Sequence, residues 1–120
     1  MFKSHAFALA VKLAFWLALI FTFTMAVMPV ADIPHIRLWD KALHFLAFFV
    51  LTVLGLAAFP LRSPWLIGGL LSACGALIEV IQGLPAVHRD RDVKDWIADT
   101  LAILAVVVPM IVYRRLRSPP

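Results

Sequence analysis

From Leu13 to Ala31 the chain runs nineteen residues without an ionisable side chain, and three further apolar runs follow. The second spans Ala42 to Leu61 and is broken only by His44. The third extends from near Trp65 to Leu84 with Glu79 and Gln82 inside it, and the fourth from Trp96 to Tyr113 with Asp99 inside it. A helix needs about 20 apolar residues to cross the hydrocarbon layer of a bilayer. The first two runs reach that length outright, and the other two reach it if each carries one acid. In lipid the backbone must satisfy its own hydrogen bonds, which restricts spanning segments to helices and closed barrels. Barrel strands alternate polar and apolar residues, and these runs do not. The expectation is an all-α, integral membrane four-helix bundle with antiparallel neighbouring helices, a single domain over residues 1–120. Composition agrees: 63% of residues are hydrophobic and 15% charged, against about half and a quarter in soluble domains. That excludes a water-soluble globule, and disorder, which requires low hydrophobicity.

The gaps between runs carry turn and interface signals. Asp32, Pro34, His35, Arg37, Asp40 and Lys41 occupy the first gap, Pro60 to Pro64 form a tight hairpin, and Pro85 to Lys94 form a polar third loop. Ala6 to Val11 can extend the first helix, with Lys12 reaching toward the headgroups. Trp39, Trp65, Trp96 and Tyr113 fall at segment ends, as an aromatic belt would place them. The first run is longer than the apolar core of a signal peptide, and Pro29-Val30-Ala31 is a poor cleavage site, so it reads as a retained span. The single cysteine, Cys74, lies in an apolar run and reads as a small buried side chain.

Four crossings place both termini and the second loop on one side. That side holds Lys3, Lys12, Arg62, Arg114, Arg115 and Arg117, against Arg37, Lys41, Arg89, Arg91 and Lys94 on the other. Six basic residues against five favour cytoplasmic termini, with the protein in the inner (cytoplasmic) membrane of a bacterium. The basic tail reads as a topology signal that contacts the lipid surface. Nucleic-acid binding is not expected, because the basic residues are split between two faces and Gly68-Gly69 sits inside an apolar helix.

Antiparallel threading also gathers the unusual polar residues. The start of the second helix brings Asp40, Lys41 and His44; the end of the third brings Glu79 and Gln82; the start of the fourth brings Asp92, Asp95 and Asp99. At about 100° per residue, Gly68, Ser72, Gly75, Glu79 and Gln82 form one stripe whose small members permit close helix contact. Asp92, Asp95 and Asp99 share a face of the fourth helix if it begins near Asp92, a plausible N-cap. Asp40 and His44 share a face with Phe48, Leu51 and Gly55. An acid in lipid costs at least ~2.5 kcal/mol, so Glu79 and Asp99 need partners, and His44, Gln82, Lys41, Arg89 and Arg91 are available. The candidate pocket is therefore Asp40, Lys41, His44, Glu79, Gln82, Arg89, Asp92, Asp95 and Asp99.

These residues resemble a known family. Asp40-Lys41-Ala42-Leu43-His44-Phe45, Glu79-Val80-Ile81-Gln82, Arg89 through Asp95, and Ala98-Asp99-Thr100-Leu101 are similar to the motifs of the VanZ-like family of small bacterial membrane proteins. The resemblance covers residues 38 to 106. Asp99 stands where an asparagine is common, and Ala102 where a glycine is common, which implies looser packing there. The resemblance implies an inner-membrane protein of the cell envelope, in a family named for a member associated with low-level teicoplanin resistance.

Three kinds of function fit the pattern. A binding protein would accept an anionic lipid headgroup or a lipid-linked envelope precursor, with Lys41, Arg89 and Arg91 on the phosphate. An enzyme would use His44 as general base, oriented by Glu79 or Asp40; Ser72 and Thr100 are the nearby hydroxyls, with Ser72 expected about two turns below His44. A structural subunit would use the same residues as interhelical glue. Proton-linked transport lacks a polar path through the other half of the helices. A metal at His44, Glu79 and Asp99 lacks paired-ligand spacing, and no cofactor is expected. Binding in the envelope is the preferred reading over catalysis.

Overall fold

The computed structural model describes residues 2–28, 37–84 and 93–117, with side chains from residue 5 onward in the first helix and from residue 42 onward in the second. The described residues form four helices and no strand: α1 (Phe2–Val27), α2 (Arg37–Ala58), α3 (Pro64–Gln82) and α4 (Val93–Arg117). The fold is the all-α membrane bundle expected from hydropathy. His5–Val27, Pro64–Gln82 and Val93–Arg117 are long and apolar enough to cross a membrane, while the apolar stretch of α2, Ala42–Ala58, is shorter.

Helix ends differ from the apolar runs for local reasons. α1 starts at Phe2 rather than Leu13, and Lys12, which bounds the apolar run, is exposed and leaves the helix uninterrupted. It stops before Pro29, since the residue preceding a proline is pushed out of the helical region. α2 closes with the Phe59 amide donating to the Gly55 carbonyl at 3.0 Å, and the Arg62 amide then turns back onto the Phe59 carbonyl at 3.1 Å. Pro64 opens α3, where a missing amide hydrogen costs nothing. α4 contains Pro109, which removes the donor for the Ala105 carbonyl.

The bundle is apolar on both its inside and its outside. Phe48, Leu51, Ile78, Ile103 and Val107 are buried, while Phe7, Leu17, Phe21, Leu70 and Leu101 are more than half exposed. In water that surface would be untenable; in a bilayer it is the lipid-facing side. α2, α3 and α4 pack mutually, and α1 packs on α2 and α3 without touching α4. Glycines set the close approaches. A Cβ at Gly55 would stand 3.0 Å from Ile67 Cγ2 and 3.1 Å from Phe15 Cε1, so α1, α2 and α3 converge there. A Cβ at Gly68 would stand 3.0 Å from both Ile103 Cγ2 and Val107 Cγ2, seating α3 on α4. Phe15 packs edge-on against Phe59 at 5.7 Å, near the α2–α3 turn. The bundle thus has two distinct ends: a basic end at the α2–α3 turn and the end of α4, and a polar end where α1 and α3 finish and α2 and α4 begin.

Candidate functional site: a buried polar layer beside an apolar groove

Packing in the lower part of α3 and α4 fixes the register of the polar end. Gly68 faces Ile103 and Val107. The Ser72 and Thr100 hydroxyls are 3.0 Å apart, and the Trp96 indole N–H donates to the Ser72 carbonyl at 3.1 Å. A Cβ on Gly75 would lie 3.1 Å from Asp99 Oδ2, so the absence of a side chain there makes room for the Asp99 carboxylate. One turn further, this antiparallel register sets Glu79 opposite Asp95, each only 6% exposed. The small stripe of α3 therefore faces the bundle, with Gly68, Gly75, Glu79 and Gln82 buried and Ser72 half-buried.

His44 on α2 completes the layer. Its Nδ1 lies 3.2 Å from Asp99 Oδ1, with the side chains 9% and 1% exposed. Phe48, Leu51 and Gly55, on the same face of α2, are buried, which carries His44 inward. Asp99 Oδ2 has no hydrogen-bond partner among the described residues. Gln82, 3% exposed, donates through Nε2 to the Ala26 carbonyl at 2.8 Å. That bond fastens the end of α1 to the end of α3. Its Oε1 has no partner among the described residues.

Sequence reasoning offered Glu79 or Asp40 to orient His44; at Nδ1 the structure adds Asp99. The Ser72 hydroxyl meets that of Thr100, the neighbour of Asp99. Asp40 and Lys41 lie in the first turns of α2 with their side chains outside the described set, and Arg89 and Asp92 fall outside the described residues. Ala102 is fully buried. Trp96, half-buried, ties α4 to α3 through its indole N–H. Among the described residues no three His, Cys, Asp or Glu side chains gather into a group able to hold a metal ion.

Sequence reasoning missed a groove. Between α1 and α2 at the polar end lies a space of about 540 Å³, walled by Ala18, Phe21 and Met25 on one side and Leu43, Ala47 and Val50 on the other. Among the described residues its lining is almost wholly apolar, with His44 the one ionisable member and Thr22 the one hydroxyl. The alanines are the available signal: three small side chains, Ala18, Ala26 and Ala47, leave unfilled the space that larger residues would occupy.

No family model, curated protein or solved structure matches the chain.

Proposed function

We propose that this protein is a lipid-binding component of the bacterial cell envelope, of the VanZ-like kind, that holds an amphiphile at its polar end. The groove carries this reading. An apolar groove on a membrane protein accepts hydrocarbon, and a few placed polar groups fix the orientation of what it binds. Here the groove borders His44, which Asp99 holds in place. A lipid chain seated between α1 and α2 brings its polar group to the depth of His44 and the first turns of α2. Lys41, Arg89 and Arg91, which the threading of the sequence expects at this membrane face, are the proposed source of positive charge for a phosphate. The ligand class is then an anionic lipid or a lipid-linked envelope precursor. The polar end faces the outside of the cytoplasmic membrane, with both termini in the cytoplasm. In a host cell, the expected consequence is altered susceptibility to teicoplanin-type glycopeptides.

Reconstituted protein should carry a photoactivatable phospholipid or polyprenyl phosphate that labels peptides from α1 and α2. Ala47→Trp, which fills the groove, should reduce that labelling at least ten-fold while the helical circular dichroism spectrum stays unchanged. Equal labelling in the variant, or labelling confined to other helices, contradicts the proposal. The His44–Asp99 pair supports a second reading, acid–base chemistry on the bound lipid, because a carboxylate on Nδ1 is the usual means of orienting a catalytic imidazole. Turnover of the bound lipid that disappears in His44→Ala would favour it.

A further inference from the structure

The basic end has a separate electrostatic character. The seven acidic residues of the chain are Asp32, Asp40, Glu79, Asp90, Asp92, Asp95 and Asp99. None of them lies in the segments that build the basic end. That end carries Arg62 on the α2–α3 turn and Arg114, Arg115 and Arg117 at the close of α4. The two elements are joined: Arg114 Nη2 donates to the Pro60 carbonyl at 3.3 Å. Arg62, two residues beyond Pro60, is thereby brought beside the α4 arginines. Arg62, Arg115 and Arg117 are exposed, and the Arg117 guanidinium lies 5.4 Å from the centre of the Tyr113 ring. Lys12 of α1 is exposed as well. It stands one turn before Trp16, which packs on Phe59 at 6.4 Å near the same turn.

Depth is marked independently. Trp65, in the first turn of α3, and Tyr113, directly before the α4 arginines, are each about half exposed. Exposed Trp and Tyr on membrane proteins settle at the level of the headgroups. The arginines just beyond them therefore lie among the phosphates, without an acidic side chain to neutralise them. Zwitterionic headgroups return a positive charge for every phosphate; anionic headgroups do not. We propose that the α2–α3 turn and the end of α4 form a binding face for anionic phospholipid headgroups. Arg62, Arg115 and Arg117 contact the phosphate there, and Arg114 locks the two elements together. This face is separate from the lipid groove at the polar end and stands whether or not that groove binds lipid.

Full-length protein in nanodiscs of phosphatidylcholine containing phosphatidylglycerol, followed by native mass spectrometry of the released protein, tests this. Retained lipid should be enriched in phosphatidylglycerol, and the enrichment should fall as salt is raised. Each surface arginine contributes on the order of five-fold to anionic-membrane affinity. The combined Arg62→Gln, Arg115→Gln and Arg117→Gln variant should thus lose at least ten-fold of the preference, and the corresponding triple lysine variant should keep most of it. Should the triple glutamine variant fold poorly, Arg115→Gln alone, on an exposed side chain, should still lose several-fold. In Arg89→Gln with Arg91→Gln, which removes the phosphate contacts proposed for the groove at the other end, a phosphatidylglycerol preference should remain, and the triple glutamine change made in that background should abolish it. Equal retention of both lipids by the unaltered protein overturns the proposal. So does a preference that the triple glutamine change leaves intact in that background, or one that Arg89→Gln with Arg91→Gln removes by itself.

Discussion

Replacing Asp99 by alanine removes the acceptor 3.2 Å from His44 Nδ1 in a site only 1% exposed. Two effects then oppose each other. The lost contact is worth about 0.6 kcal/mol if it behaves as an average interhelical hydrogen bond in lipid, and roughly 1.5–3 kcal/mol if it is charge-assisted. Against this, a carboxylate whose Oδ2 has no hydrogen-bond partner among the described residues leaves the membrane interior, where an acid costs at least ~2.5 kcal/mol. The single substitution can therefore measure close to neutral while the contact itself is strong. A double-mutant cycle separates the two, because the burial cost of Asp99 cancels between backgrounds. Asp99→Ala, His44→Ala and the double variant, unfolded in mixed micelles with increasing denaturing detergent and followed by circular dichroism, should give a coupling energy of about 1.5 kcal/mol. Asp99→Asn retains an acceptor for Nδ1 and loses the charge, so it should be at least as stable as the parent. A coupling below about 0.3 kcal/mol, or an asparagine variant as damaged as the alanine one, would refute the argument that this pair organises the polar layer.

Gly68→Leu should cost about 1–3 kcal/mol by overpacking, since even its Cβ meets two methyl groups at 3.0 Å; the same unfolding assay reads it. Gln82→Leu removes the bond to the Ala26 carbonyl and should cost under about 1.7 kcal/mol. Its signature is faster cysteine-probe labelling at the end of α1, with α3 and α4 unchanged. The Ser72–Thr100 contact, cycled with Ser72→Ala and Thr100→Val, should couple by about 0.6 kcal/mol, the average for an interhelical hydrogen bond in lipid.

Hydropathy located all four helices because lipid leaves the backbone no alternative, and the stripe from Gly68 to Gln82 was legible because helical spacing sets Gly68, Ser72, Gly75, Glu79 and Gln82 on one side of α3. The inward faces of α2 and α4 followed from the same spacing, through His44, Phe48 and Leu51 and through Asp95 and Asp99. What spacing could not supply was pairing between helices. Spacing offered Asp40, on the same face of α2, and Glu79 to orient His44, and named His44 only as one of several available partners for Asp99. The choice of Asp99 depends on the register that Gly75 and Gly68 impose on α4. The link from Gln82 to Ala26 was invisible for another reason: its acceptor is a backbone carbonyl, and every residue has one. The groove was hidden because it is made of side chains that are missing, at Ala18 and Ala47, rather than of any that are present.

Helix length adds a constraint of a different kind. α3 has 19 residues, and the apolar part of α4, from Trp96 to Tyr113 ahead of its arginines, has 18, so at 1.5 Å per residue they reach about 28 Å and 27 Å. A hydrocarbon layer of about 30 Å slightly outspans both. The glycine contacts hold these two helices side by side, so the bilayer thins around the pair. The cost of that mismatch rises with every ångström of added thickness, so the protein should partition into thin, fluid membrane and be squeezed out of thick, ordered patches.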